Sequence, residues 1–488
     1  MADLTPWRRR LLAALCGLGL AAGAAPFSII WFLFLAVPFL GTLLMAQTSW
    51  RAGFGIGWWA GVTYFGGSMY WIVEPFFVDA ARHAWMAPFA LIFVATGMAL
   101  FWGIAFALST RFAGRMRVAA MVAWWVLAEF VRAFIFTGFP WGMLSYGWSK
   151  TPIFQSLSVL GPHGLTLLTL LIAALPVLMN RRLGVGLTLA CLAALWVGGL
   201  QRMQDVAVTE TVVRLVQPNA PQHLKWDPEW VRVFYGRAIE YTRAEDPPDV
   251  VVWPETSVPF LWEDAPNGRE QMIRAARGAH LIAGHRKFQD LAVKNSLLHV
   301  SPDGQLVADY DKHHLVPFGE YIPLGELAAK IGIYGLAAND GMGFAAGNGP
   351  KMISVEGLPA YIPLICYEAI FPGYSQMKEG RPAWLLHITN DAWFGNFAGP
   401  YQHLVQARAR AVEQGLPMAR AANTGISAML DPYGRITAFA ELGQEGYVDA
   451  PLPDPLPPTP YHRFGELPWL IAVAALLIIL SIRRRAAR

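Results

Sequence analysis

Three residues, each near the end of an apolar run, carry the side chains that acyl transfer requires. Cys366 closes the run "YIPLIC" and precedes an aromatic, an acid and a Pro-Gly turn in "CYEAIFPGY". Glu255 closes "VVVWPE", and Lys312 lies in "DYDKHHLVPFGEYIP". Acyl transfer needs a nucleophile, a proton shuttle and a cation or dipole where the oxyanion forms, and these three side chains supply all of them. A carboxylate beside the thiol can take its proton as general base and return it to the departing group if a largely enclosed site raises its own pKa. The ammonium is better used to attract the thiolate and the developing oxyanion, together with the backbone N–H that follows Cys366. Taken singly, each residue has a plainer explanation. Cysteine in an apolar strand is commonly buried filler, and Glu or Lys at a strand end is commonly solvated.

The other titratable groups narrow the chemistry. The two remaining cysteines, Cys16 and Cys191, lie inside long apolar runs, which argues against a disulfide framework. Among eleven histidines, His313 and His314 are adjacent and face opposite ways on an extended segment. No His-Glu-x-x-His or Cys-x-x-Cys spacing occurs, so no metal is expected. A phosphate-binding P-loop and a dinucleotide glycine fingerprint are also missing from the sequence, so no nucleotide and no other cofactor is expected.

The elements that must position these groups change character at Val212. Beyond it, "VVRLVQPN", "DVVVWPET", "HLIAGHRK", "NSLLHVSPDG", "LPAYIPLICYE" and "AWLLHITND" read as strands bounded by turn residues. "EWVRVFYGRAIEYTRA" and "YQHLVQARARAVEQG" read as helices. The alternation predicts an α/β domain with its function at loops leaving the carboxyl ends of strands. "PLPDPLPPTP" is too proline-rich for a regular element and reads as a stiff connector.

Around that domain the composition is that of a membrane protein. Of 488 residues 55% are hydrophobic and 15% charged, against about 25% charged in soluble chains; the mean hydropathy is +0.36. The net charge of +4 comes mostly from scattered Arg beside apolar runs, which excludes a nucleic-acid partner. Seven apolar segments precede the α/β region, at 11–25, 29–46, 54–73, 86–108, 118–136, 157–179 and 183–200. An eighth spans 467–482. The first is short, Ala/Gly-rich and follows "WRRR", as a signal peptide would, but a second span follows at once and it reads as a retained helix. With the N-terminus cytoplasmic, inner loops and tail carry Arg8, Arg9, Arg10, Arg51, Arg111, Arg115, Arg117, Arg181, Arg182, Arg483, Arg484, Arg485 and Arg488, while outer loops carry Arg82 and Lys150. That asymmetry places both termini inside and the α/β domain on the outer face, the periplasm of a didermic bacterium. Within the fifth span Glu129 and Arg132 share a helical face and can pair, as a structural ion pair of the bundle or as a substrate contact.

"WPET", "KHHLVPFGEYIP" and "CYE", in that order, resemble the Glu-Lys-Cys signatures of the nitrilase (carbon-nitrogen hydrolase) superfamily. With a multispan bundle in front and one span behind, nearly the whole chain resembles its membrane-bound branch, the apolipoprotein N-acyltransferase family; "GFPWGMLSYGW" and "VQPNAPQHLKW" share in the likeness. The resemblance implies a bundle of about eight helices joined to a nitrilase-like domain with α-β-β-α sandwich layers. The division would be a bundle at 1–204, a periplasmic catalytic domain at 205–455, and a linker with the last helix at 456–488. It implies a ping-pong reaction: Cys366 takes an acyl chain from a phospholipid, expected to be phosphatidylethanolamine. The thioester then yields that chain to the α-amine of a diacylglyceryl-cysteine at an apolipoprotein's N-terminus. By the same resemblance Glu320 is a second active-site acid, Tyr367 and Glu368 shape the nucleophile turn, Asn295 lies near the pocket, and Trp226 belongs to a lipid-facing loop that binds substrate.

Both substrates are acylated and arrive laterally, so the pocket is expected to open toward lipid, with the apolar stretch 327–344 lining or gating that opening. A monomer in the bacterial inner membrane is expected. Two rivals remain open. An anchored amidase or nitrilase would use the same triad on a small soluble amide, yet eight spans exceed what anchoring needs. A transporter with a passive outer domain should hold several inward ionisable groups or paired broken helices, and only Glu129 and Arg132 stand out.

Overall fold

Apolar runs of the first two hundred residues become long helices: α1 (Pro6–Ala21), α2 (Leu33–Met45), α3 (Trp50–Ser68), α4 (Ala87–Ser109), α5 (Gly114–Phe134), α6 (Leu157–Leu178) and α7 (Arg181–Arg202). A further helix covers Leu467–Ala486. The computed structural model describes residues 4–289, 292–323, 343–376 and 380–486. Among these, four helical stretches are long and apolar enough to cross a membrane: Ala80–Ser109, Pro152–Leu178, Arg181–Arg202 and Leu467–Ala486. The others are shorter or more polar. α2 has 13 residues, and α5 carries Arg115, Arg117, Glu129 and Arg132. The chain divides into two units, one of Met1–Val73, Trp85–Gln204 and Thr459–Arg488, the other of Glu74–Ala84 and Asp205–Pro458.

In the helical unit, small residues at four-residue spacing let backbones touch. A Cβ on Gly57 of α3 would sit 2.5 Å from the Trp102 carbonyl oxygen of α4, and one on Gly61 would sit 2.9 Å from Ala99 Cα. Such contact supplies the dispersion that holds helices together where lipid removes the hydrophobic drive. Glu129 and Arg132 are buried and paired. Trp102 donates to Glu129 at 2.5 Å, and Arg132 donates to the carbonyls of Phe139 and Trp141. The pair therefore pins the 138–142 turn to α5 and reads as structural.

The second unit is built on the strands β1 (Val208–Gln217), β2 (Val250–Val252), β3 (His280–Gln289), β4 (Ala292–Val300), β5 (Leu306–Asp311), β6 (Ile353–Val355), β7 (Leu358–Ile365), β8 (Trp384–Thr389), β9 (Met418–Ala422), β10 (Ser427–Leu430), β11 (Ile436–Ala440) and β12 (Gly446–Pro453). They form two sheets, β12-β1-β2-β3-β4-β5 and β11-β10-β9-β8-β7-β6. Each sheet has a parallel centre, β1-β2-β3 in one and β7-β8-β9 in the other. Parallel strands are covered on both faces, which is why β2 is an unbroken Val run with every residue buried. The facing sides meet in one core that includes Val213, Val252, Leu297, Tyr361, Leu386 and Ala419. At about 1.5–3 kcal/mol for each large aliphatic side chain buried, this layer is the main source of cohesion between the sheets.

Helices cover the outer faces. α8 (Trp230–Arg243) and α9 (Pro266–Ala276) pack Ala238, Ile239, Met272 and Ala275 on the first sheet. α10 (Ala398–Gln414) packs Leu404 and Ala407 on the second. The layers are thus α-β-β-α. The stretch expected to line or gate a lipid-side opening, 327–344, lies outside the described residues except for Gly343 and Phe344. Phe344 N donates to Glu320 O at 2.9 Å.

Candidate active site

Parallel strands aim their carboxyl ends at one edge, and the predicted residues leave from there. Glu255 follows β2 after the buried Trp253, and the next residue, Thr256, takes a left-handed φ of 47°. Gly284 on β3 makes room for this turn: a Cβ there would lie 2.5 Å from Pro254 O and 2.6 Å from Glu255 Cα. Lys312 directly follows β5, and Asn295 sits inside β4. In the other sheet, Cys366 follows β7 and opens the short 3-10 turn Cys366–Ile370.

The side chains of the first sheet converge on one ammonium. Lys312 Nζ lies 3.2 Å from Glu255 Oε1 and 2.9 Å from Glu320 Oε1. Asn295 Nδ2 donates to the same two carboxylates, at 2.7 and 3.0 Å. Backbone N–H groups fix the outer oxygens, Asn390 N donating to Glu255 Oε2 at 2.9 Å and Val316 N to Glu320 Oε2 at 2.8 Å. All four side chains are buried. Two buried carboxylates would repel, and Lys312 with the Asn295 amide offsets that repulsion.

Charge states follow from these contacts. Burial alone would raise the pKa of Glu255, as expected for an enclosed base, but Lys312, Asn295 and Lys225 outweigh it and hold the carboxyl below its ordinary range instead. Burial also disfavours a charged Lys312, yet Glu255, Glu320 and Cys366 push its pKa well above that of a free amine. Burial, aided by the charge of Glu255, pushes the Cys366 thiol up, against Lys312 and a Thr389 hydrogen bond. At rest the site holds a thiol, a carboxylate and an ammonium.

The turn at Cys366 is held from two sides. Cys366 has φ 50°, a left-handed conformation costing a non-glycine residue about 1–3 kcal/mol, which the surroundings must impose. Glu368, fully buried, accepts from Ile365 N at 2.7 Å, His313 N at 2.8 Å and Tyr310 Oη at 3.0 Å. It thereby ties the end of β7 to the segment that carries Lys312. Tyr367 is buried, with its ring centroid 5.6 Å from His314 and 5.2 Å from Phe371. Trp226, 38% exposed, lies under the Arg286 guanidinium at 4.0 Å.

Sequence reading missed a polar network beneath the cysteine. His387 Nε2 and His403 Nε2 each lie 3.2 Å from the Cys366 carbonyl oxygen. Arg420 donates to His387 Nδ1 at 2.7 Å and to Asp391 Oδ2 at 2.5 Å. Asp391 Oδ1 lies 2.8 Å from His403 Nδ1 and accepts from Thr389 at 3.0 Å. Gly425 leaves space for that carboxylate, since a Cβ there would fall 2.4 Å from Asp391 Oδ2. The signal was present in "WLLHITND": His387, Thr389, Asn390 and Asp391 are polar residues closing a segment whose neighbours are apolar and which is buried on both faces. Lys225 was also missed; it is buried and donates to Glu255 O at 3.0 Å and Thr256 Oγ1 at 2.8 Å. Among the described residues no group of three or more His, Cys, Asp or Glu is arranged to hold a metal ion.

Residues 16–175 match the family "Apolipoprotein N-acyltransferase N-terminal domain" and residues 213–455 match "Carbon-nitrogen hydrolase". The chain is 36% identical to an apolipoprotein N-acyltransferase of Rhodopseudomonas palustris, over 98% of this chain and 96% of the relative. It is 37% identical to one of Bradyrhizobium diazoefficiens, over 99% and 96%. One of Caulobacter vibrioides is 36% identical over 96% and 93%. Among solved structures, a CN-hydrolase superfamily protein of Xanthomonas campestris with an arsenic adduct in its active site is 24% identical, covering 51% of this chain and 91% of that one, at a TM-score of 0.37. An amidase from Nesterenkonia sp. AN1 is 18% identical, covering 52% and 94%, at a TM-score of 0.36.

Proposed function

The chain belongs to the apolipoprotein N-acyltransferase family, and from that premise we propose that Cys366, Glu255 and Lys312 form the triad with which it acylates lipoproteins. It is a membrane-bound acyltransferase, and its substrates are a phospholipid and a lipoprotein. The supporting observation is the buried cluster in which Glu255 and Glu320 share Lys312, in the unit whose other sheet presents Cys366 on a strained turn.

In the first half-reaction Glu255 takes the Sγ proton as sulfur attacks an ester carbonyl of the phospholipid. Lys312 Nζ and the Tyr367 N–H receive the oxyanion. Collapse expels the lysophospholipid oxygen, which takes the proton back from Glu255 and leaves a thioester on Cys366. In the second half-reaction the α-amine of a diacylglyceryl-cysteine attacks that thioester. Glu255 accepts the amine proton and returns it to the departing thiolate, so atoms and charge balance over the cycle. Because the resting thiol is protonated and the carboxylate is held low, proton transfer accompanies attack instead of preceding it. Glu320 and Asn295 position Lys312 and Glu255, Glu368 and Tyr367 hold the turn, and Trp226 contacts the arriving lipid.

The same reading assigns 1–204 to a bundle of seven spans, 205–455 to a periplasmic catalytic domain, and 456–488 to a linker and an eighth span. It places both termini in the cytoplasm of a bacterial inner-membrane monomer and takes phosphatidylethanolamine as donor. The test is transfer of an isotope-labelled acyl chain from that lipid. Label on the N-terminal amine of a diacylglyceryl-cysteine peptide supports the reading. Release as free fatty acid alone, with ready hydrolysis of short amides, would favour an anchored amidase instead.

A further inference from the structure

Beside Glu255 lie two further cations, Lys225 and Arg286, which with Lys312 leave one positive charge in excess among the described residues. Arg286 pairs with Asn295 across β3 and β4, so the two side chains share a face of the sheet. Its guanidinium lies over the Trp226 ring, 4.0 Å from the centroid. Among the described residues it meets no carboxylate. Burial is what acts on its pKa, in the downward direction. Lys225 reaches the same indole, Nζ 5.6 Å from its centroid, and is buried. The contacts it makes, Glu255 O and Thr256 Oγ1, are neutral oxygens. Arg286 and Lys225 repel each other, and Glu255, the carboxylate whose charge acts on Lys225, already serves Lys312. Three cations, Lys225, Arg286 and Lys312, thus face two carboxylates, Glu255 and Glu320. A partly buried guanidinium without an anion is costly unless a ligand brings one.

The geometry points to an anion subsite formed by Arg286 and Lys225 over Trp226, which receives the phosphodiester of the acyl donor. The inference rests on the acyl-transfer reading above and adds the part of the donor that this chain recognises. A phosphodiester carries one negative charge, matching the one uncompensated positive charge, and a guanidinium binds its oxygens in a two-pronged geometry. The lysophospholipid product keeps that phosphate, so the same contacts hold it until it diffuses away. Trp226, stacked under Arg286 and partly exposed, supplies an apolar floor beside the charge.

The test compares two acyl donors on the full-length protein in detergent: phosphatidylethanolamine and the neutral ester p-nitrophenyl palmitate. Acylation of Cys366 is followed by intact mass in wild type, Arg286→Gln and Arg286→Lys. The ratio of the phospholipid rate to the neutral-ester rate should fall about tenfold in Arg286→Gln, the scale of one lost charge-assisted hydrogen bond, and partly return in Arg286→Lys. An unchanged ratio, with both rates falling together or neither falling, would overturn the subsite and leave the reaction assignment standing. Absence of any phosphatidylethanolamine adduct on the wild type would overturn both. To separate a lipid headgroup from free phosphate, glycerophosphoethanolamine and inorganic phosphate compete against the neutral ester at equal concentration. Stronger inhibition by the headgroup supports the lipid source, and equal inhibition contradicts it.

Discussion

Nε2 of His387 lies 3.2 Å from the carbonyl oxygen of Cys366, while Nδ1 of the same ring accepts from Arg420 at 2.7 Å. The guanidinium therefore fixes the tautomer: the imidazole proton sits on Nε2 and is donated to that carbonyl. A hydrogen bond taken by a peptide carbonyl strengthens the N–H of the same peptide, here that of Tyr367. The bond also helps impose the left-handed turn at Cys366. Replacing His387 with Leu should slow acylation about tenfold. The readout is the infrared carbonyl stretch of a carbon-13-labelled acyl thioester, which should move to higher wavenumber as the oxyanion donor weakens. An unmoved stretch would confine His387 to folding.

Glu255→Gln should lower the single-turnover acylation rate by about 10²–10⁴-fold, the usual contribution of a positioned base. Because the Glu255 carboxyl is held below its ordinary range, it stays ionised to lower pH than a free glutamate. The base is then competent above that depressed value and lost only as pH falls through it. The acid limb of the wild-type rate should accordingly lie below 4.5, the unperturbed value; a limb above it would contradict the charge arrangement.

One pair of variants separates the charge pairing of Lys312 from the chemical role proposed for it. Lys312→Met leaves Glu255 and Glu320 buried without their shared cation, at a cost of about 3–5 kcal/mol. The melting temperature should drop accordingly. Adding Glu320→Gln removes one of the two stranded charges, and part of that loss should return in calorimetry. Acylation should not return, since the oxyanion still lacks its cation.

Lys225 predicts an alkaline limb. Burial pushes its pKa down to about 8, the charges of Glu255 and Cys366 acting upward and that of Arg286 downward. As pH rises through that value the ammonium loses its proton and with it the attraction for an anion. The wild-type kcat/KM for phosphatidylethanolamine should fall above about pH 8. The ratio to the neutral ester, measured across the same range, should fall with it; a flat ratio would contradict the assignment.

Half of the strands were legible because burial imposes a pattern. "DVVVWPET" and "LPAYIPLICYE" are apolar runs closed by turn residues, and they became β2 and β7 with Glu255 and Cys366 just beyond their ends. Not legible were β5, β6 and β9 to β12, whose short Ala-rich or mixed segments take their strand character from neighbours in the sheet. The shared Lys312 contact of Glu255 and Glu320 depends on side chains 57 and 8 residues away along the chain, and spacing encodes neither. His387 and Asp391 were quoted inside a strand without a role, because their partners Arg420 and His403 come from β9 and α10.

The central claim is that Cys366 carries the acyl chain. Intact mass of the wild type and of Cys366→Ser, each incubated with phosphatidylethanolamine and then with a diacylglyceryl-cysteine peptide, tests it most directly. A fatty-acyl increment should form on the wild type and disappear as the peptide gains the same mass, with no increment on Cys366→Ser. A persistent increment on the serine variant at another residue, or transfer to the peptide with no adduct ever forming on the wild type, would contradict it.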